Sequence, residues 1–241
     1  MSVTEYRDLQ RAHLDQVLSH NEDALAAATA LLLEVIRRDG LLLSAGAGHS
    51  TSAAAELFHR AGGLACVRPV HHPDLALFAG ANASTAAERR SGLADEVFAG
   101  LGAEPRDVLV VFSTSGVNAY PVRLAAAARA AGCPVIAVTS LPTMAVAPRR
   151  AGSILAEHAD VVLDTLVRPG DASYPPAAPV TAALSTVVNA ALVNDLLVRL
   201  FDAADAAGVR LPLWRSANIA GGDEANAALL ARYAPRIPEL G

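Results

Sequence analysis

Aromatic side chains make up only 4% of the 241 residues, too few to offer the stacking platforms on which proteins lay out bases. No block of Lys or Arg interrupts a chain whose net charge is −5, so the electrostatic footprint of a nucleic-acid binder is missing as well. Cysteine is nearly absent: Cys66 and Cys133 lie in apolar, strand-like runs and read as reduced core thiols. No window approaches the ~18 uninterrupted apolar residues that a membrane span requires. The opening residues, MSVTEYRDLQ, carry charges where a signal peptide needs an apolar stretch, so a cytoplasmic protein is expected. Any anionic ligand must then be held locally, by backbone amides and hydroxyls.

What the chain does have is core. It is 53% hydrophobic, rich in Ala, Leu and Val, and ample for a buried interior. Helical spacing of Leu9, Leu14, Leu18, Leu25, Leu32 and Ile36 predicts helix over about 4–38, in one piece or in two meeting near Ser19, where Ser19 and Glu22 have capping-box spacing. Apolar runs at 41–45, 64–70, 108–112, 134–138 and 161–163 predict five strands, each nearly continuous in the manner of a buried parallel sheet. Between them the pattern predicts helices to about Arg60, over 84–101, from Ala119 to Gly132, over 149–156 and from about Val180 to Ala206. Alternating strands and helices imply an α/β fold, a doubly wound, five-stranded parallel sheet covered on both faces. No repeat or long linker divides the chain, so one domain is expected over 1–241: N-terminal helices at about 4–38, a core at about 40–207 and a tail at 208–241.

Doubly wound sheets bind ligands at the carboxyl ends of their strands, where strand order reverses. Two loops stand out there. Gly46-Ala47-Gly48-His49-Ser50 joins the first strand to its helix, with glycines that let backbone approach a ligand and a helix start that favours anions. The dinucleotide pattern is not met, because position 51 is Thr and the second strand ends Arg68-Pro69-Val70-His71 with no acid. The second loop is Ser113-Thr114-Ser115-Gly116-Val117-Asn118. One hydroxyl would suffice to cap the next helix; three, with a second Gly/Ser loop at the same edge, point to a phosphate site. No Lys follows either loop, which sets aside a P-loop.

GAGHS paired with STSGVN, each between a strand and a helix, resembles the SIS (sugar isomerase) domain. The Ser113–Gly116 loop resembles the phosphate loop of phosphoheptose isomerases, and DVLVVFSTSG followed by AYP resembles a stretch of the N-acetylmuramic acid 6-phosphate etherases. The tail Ser216-Ala217-Asn218-Ile219-Ala220-Gly221-Gly222-Asp223-Glu224 resembles an uncharacterised family of stand-alone SIS proteins. The resemblance implies a flavodoxin-like sheet, a homodimer with composite sites, and a sugar phosphate as ligand without naming the sugar. It puts the phosphate-binding hydroxyls on Ser50, Ser113 and Ser115, with Thr114, Gly48 and Gly116 beside them. A further family Ser or Thr is Asn118 here.

Isomerisation or elimination needs a base next to a carbonyl. Glu56, six residues after Ser50, is the first choice, ahead of His49, although family members place their catalytic Glu several residues later and a solvated helix Glu is the plain alternative. Glu88 lies about as far from Gly116 as an acid of the etherases, but Arg89 and Arg90 beside it also suit an ordinary charged surface. His49 sits within the first loop, and an imidazole suits proton transfer. His71, His72 and Asp74 follow the second strand; adjacent His side chains diverge and no further spaced ligand is evident, so neither a metal nor a cofactor is expected. Asp171 could hold a sugar hydroxyl, and Asp195 has i,i+4 spacing to Arg199. The expectation is an isomerase or lyase of a sugar phosphate, amino and N-acyl amino sugars included; the alternative is a non-catalytic sugar-phosphate sensor acting on a protein partner.

Overall fold

The structure, a computed structural model, describes residues 2–241. Helix α1 (Val3–His20) starts from a reciprocal capping box in which Ser2 and Glu5 each bond the other's backbone amide. Helix α2 (Glu22–Arg37) buries Leu25, Ala28, Leu32 and Val35 on one face. The break falls at Asn21, and no capping box forms at Ser19. Instead the Asn21 amide donates to Val17 O at 2.7 Å and Asp164 O at 2.8 Å, and accepts from Asp164 N at 2.7 Å. A buried side chain bonded to the backbone of a residue 143 positions away thus marks the end of α1.

Strand β1 (Leu42–Gly46) leads to α3 (Ser50–Leu57) and β2 (Val67–Val70). The expected helix over 84–101 is two, α4 (Ala81–Arg89) and α5 (Leu93–Leu101), divided at Gly92 with φ +89°. Then come β3 (Val108–Ser113), α6 (Ala119–Ala130), β4 (Val135–Thr139), α7 (Leu141–Val146) and β5 (Val161–Asp164). Here the reading over 149–156 needs correction. The helix is α7, capped by Ser140, which accepts from Thr143 N at 3.1 Å, and only a 3-10 turn forms at Leu155–His158. A hairpin of β6 (Ala172–Tyr174) and β7 (Thr181–Ala183) precedes α8 (Ser185–Ala206), so that helix starts five residues later than its apolar pattern suggests. Helix α9 (Gly222–Tyr233) ends the tail.

All five principal strands are parallel, in the order β2-β1-β3-β4-β5. One face lays Leu42, Val110, Phe112, Val138 and Leu163 against Leu32 of α2, Leu57 of α3 and Leu192 and Leu196 of α8. The other is covered by α6, against which α4 and α5 pack. Among the described residues no helix is long and apolar enough to cross a membrane.

Candidate functional site

From β1 the chain passes to β2 on one side and returns through α4 and α5 to β3 on the other. The reversal therefore lies between β1 and β3, whose last paired residues are Gly46 and Phe112. The two loops leave the sheet side by side at that point, one into α3 and the other toward α6. These helices cover opposite faces of the sheet, so their N-termini flank the carboxyl edge at the strand-order reversal, where doubly wound folds bind ligands.

The first loop turns tightly. A Cβ on Gly46 would lie 2.3 Å from the Ser50 carbonyl, so only glycine admits the start of α3 this close to β1. The amides of Ser50, Thr51 and Ser52 close 3-10 turns onto the carbonyls of residues 47–49, at 3.1–3.2 Å. Thr51 Oγ1 donates to Gly48 O at 2.6 Å. The amides of Gly48 and His49 make no hydrogen bond among the described residues, so they, not the first turn of α3, are this loop's unpaired donors. The Ser50 hydroxyl is half-buried, and the exposed His49 ring touches no partner among the described residues.

The second loop divides its hydroxyls by role. Ser113 is buried and its Oγ accepts from Gly116 N at 3.2 Å, closing the turn. Thr114 and Ser115 are half-buried with free hydroxyls, and the amides of Ser115, Val117 and Asn118 donate to nothing among the described residues. Gly116, at φ +60°, lies against the neighbouring elements: a Cβ there would meet Met144 Cε at 2.2 Å and Thr139 Oγ1 at 2.9 Å. Its carbonyl accepts from Leu155 N at 2.8 Å. Asn118 is the N-cap residue of α6 without capping it; its Oδ1 accepts from Arg150 at 2.9 Å.

Ser50, Ser113, Thr114, Ser115, Gly48, Gly116, Asn118 and His49 thus converge on one edge. The carboxylates do not. Glu56 lies about 9 Å along α3 from Ser50 at 1.5 Å per residue, and is ion-paired with Arg60. Glu88, half-buried on α4, has no polar contact with either loop among the described residues. Asp171 is spent on structure, accepting from Leu184 N, Ser185 N and Ser185 Oγ at 2.5–3.0 Å to cap α8. His72 accepts from Asp74 N at 3.2 Å. Asp195 accepts from Arg199 at 2.5 Å, and Arg199 also reaches Glu22 at 2.9 Å.

Thr139 and Arg150 join the site without having been singled out from sequence. Thr139 ends β4 at the position paired with Ser113, the one signal that aligning strand ends would have supplied. Arg150 lay in a segment expected to be helical. The larger cavities are elsewhere. One of about 500 Å³ lies between Phe201 and Ala204 of α8 and residues 208–215, and another of about 330 Å³ adjoins it beside Arg60 and Gly63.

The SIS-domain family model matches residues 5–140. UPF0309 protein GK1441 of Geobacillus kaustophilus is 36% identical over 99% of this chain and 96% of that protein. UPF0309 protein SCO4393 of Streptomyces coelicolor is 38% identical over 93% and 92% of the two. Among solved structures, phosphoheptose isomerase of Neisseria gonorrhoeae aligns with a TM-score of 0.55 at 23% identity, covering 83% of this chain and 97% of that one. The sugar isomerase domain of an RpiR transcription factor from Sphaerobacter thermophilus aligns at 0.53 and 19% identity, covering 96% and 97%. At these identities the two structures share the fold.

Proposed function

The chain belongs to the SIS-domain family, within it to the UPF0309 proteins, and from that premise we propose that it binds a sugar phosphate and acts on it as an isomerase or lyase. The observation that carries this reading is the pairing of the two loops at the β1/β3 reversal. There the free amides of Gly48, His49, Ser115 and Asn118 and the hydroxyls of Ser50, Thr114 and Ser115 surround one crevice. Such donors suit a phosphate held without a metal. The phosphate end fixed in this way leaves the sugar carbons to lie over the first loop, where His49 is the nearest titratable side chain and our first choice as base. Glu56 is the second choice, and it would first have to leave Arg60.

That ion pair also favours a second reading. A carboxylate already neutralised by Arg60 suits a sensor in which the sugar phosphate alters contacts with a protein partner, and the shared fold serves an isomerase and a transcription factor alike. The test is solvent deuterium incorporation into a sugar phosphate found by thermal shift, followed by NMR. Exchange next to the carbonyl in the wild type, lost by roughly 10²–10⁴ in His49→Gln, supports the enzyme. Exchange retained in His49→Gln and lost in Glu56→Gln moves the role to Glu56, and binding with no exchange selects the sensor. Ser115→Ala should weaken phosphorylated ligands alone; equal loss for the unphosphorylated sugar would make the loop structural.

A cytoplasmic homodimer belongs to the same proposal. The leucines at 31–33 do not supply its contact, since Leu32 and Leu33 are buried within this chain and Leu31 packs on its core. Of the exposed large apolar side chains, three stand on one helix, α8, where Val187, Val198 and Phe201 are 39%, 62% and 54% exposed. A monomer by light scattering at micromolar concentration would remove the dimer.

A further inference from the structure

All 19 basic residues of the chain other than histidine are arginines, and most of those near the core are committed to carboxylates. Arg60, Arg68, Arg199 and Arg236 each hold a Glu or Asp. Arg150 does not. Its backbone amide donates to Val117 O at 3.2 Å and its guanidinium donates to Asn118 Oδ1 at 2.9 Å, so both ends of the residue are tied to the second loop. The guanidinium is otherwise exposed and meets no carboxylate among the described residues.

Resting on the reading of this loop as the phosphate site, we propose that Arg150 is a ligand-binding residue that supplies the positive charge for the phosphate, and that Asn118 positions it. Two features beyond the helix start support the placement. Thr139 Oγ1 is fully buried without a hydrogen-bond partner and lies under the loop, 2.9 Å from where a Cβ of Gly116 would stand. Asn118 is itself only 9% exposed. With Oδ1 accepting from Arg150, its amide N–H groups make no bond among the described residues and remain as donors beside the free amides of Val117 and Asn118. A neutral amide is the side chain that serves both ends: it accepts from a cation without neutralising it and donates to an anion. A carboxylate at 118 would repel the phosphate, and a Ser or Thr is too short to hold a guanidinium across the loop. The arrangement adds one fixed charge to a set of neutral donors, and charge-assisted bonds from Arg are about twice as strong as neutral ones. It therefore favours a phosphate dianion over a sulfate ester or a neutral sugar.

The test is titration of the full-length protein with inorganic phosphate by ³¹P NMR at low and at high salt. Wild type, Arg150→Met, Arg150→Lys, Asn118→Ser and Ser115→Ala would be compared, with a melting curve of each taken without phosphate. Arg150→Met should weaken phosphate at least ten-fold and flatten the salt dependence while melting like wild type. Arg150→Lys should keep the salt dependence with part of the affinity, and Asn118→Ser should lose most of the salt dependence although Arg150 is present. A merely structural Arg150 would leave the salt dependence unmoved. Arg150→Met binding phosphate as wild type does, while Ser115→Ala has lost it, overturns the role of Arg150 and leaves the loop as the phosphate site. Failure of Ser115→Ala to change phosphate binding at all overturns the reading of the loop, and the role of Arg150 with it.

Discussion

At the amino ends of the strands the polar groups are charged and bonded, with Asp107 among them fully buried; at the carboxyl ends the buried polar groups are mostly hydroxyls, and several are not bonded. Asp107, fully buried just before β3, accepts from Leu41 N and Glu104 N, each at 2.8 Å, and from Arg236 of the tail at 2.8 and 3.1 Å. Asp160, just before β5, repeats the device by accepting from Val135 N at 2.8 Å. Arg232 adds an ion pair to Asp39 at 2.6 Å, and Arg68 another to Glu239 at 3.2 Å. At the opposite edge, Thr139 and Thr165 hold buried hydroxyls with no partner among the described residues, and loop amides go unbonded there. Asp164 is the exception there, and it is used up on the amides of Leu141 and Leu166, both at 3.0 Å. One edge satisfies itself and holds the fold; the other keeps donors in reserve, as a binding edge must. Changes at the amino edge should therefore cost stability and spare binding, and changes at the carboxyl edge the reverse.

The largest effect is expected from Arg236→Ala. It strips from a carboxylate with no exposed surface the one cation ion-paired to it among the described residues, and breaking a buried pair in this way costs about 3–5 kcal/mol. Urea melts should show that loss, with phosphate affinity of the folded fraction unchanged. A loss under about 1 kcal/mol, or weakened binding, would break the contrast. Gly116→Ala comes next. The left-handed φ of +60° costs a Cβ roughly 1–2 kcal/mol, and the contact with Met144 displaces the loop. Melting should fall modestly while phosphate binding falls far more; equal, small changes in both would mean that the loop tolerates a side chain and does not touch the ligand.

The last effect is absent at neutral pH and appears only in alkali. Burial beside the amino end of β2 pushes the Cys66 thiol from 9.0 up to about 12. Above pH 9 the unfolded chain gives up that proton and the folded chain keeps it. The stabilising contribution is therefore whole at neutral pH and declines by about 1.4 kcal/mol per pH unit as pH rises toward 12. Melting temperature against pH should steepen above pH 9, and Cys66→Ala should remove that component of the slope. An unchanged slope would show that Cys66 is not shielded in the folded state.

Much of this was legible in the residues. Continuous apolar runs bounded by Gly, Pro and Ser located all five principal strands, and the hydroxyls of 113–115 marked their loop before any neighbour was known. Local pattern went astray where a distant group decided the outcome. Asn21 ends α1 because the backbone of Asp164 reaches it from 143 residues away, not because of the Ser19 spacing. The apolar start expected for α8 became β7, since Thr181–Ala183 pairs with β6 and Asp171 caps the helix from across the hairpin. Among the site residues, Ser113 looked like one of three equivalent hydroxyls, and it is the one that closes the turn.

By itself the sequence determined the class of fold and marked the two loops as a candidate anion site, because both depend on short-range patterns: the period of apolar residues, and glycines and hydroxyls at a strand-to-helix junction. Only the tertiary structure decided where α1 ends, that Arg236 holds Asp107, and that Arg150 stands at Asn118. Those depend on groups 32 to 143 residues apart in the chain, whose meeting is set by β-strand order and helix packing, and no local pattern encodes it.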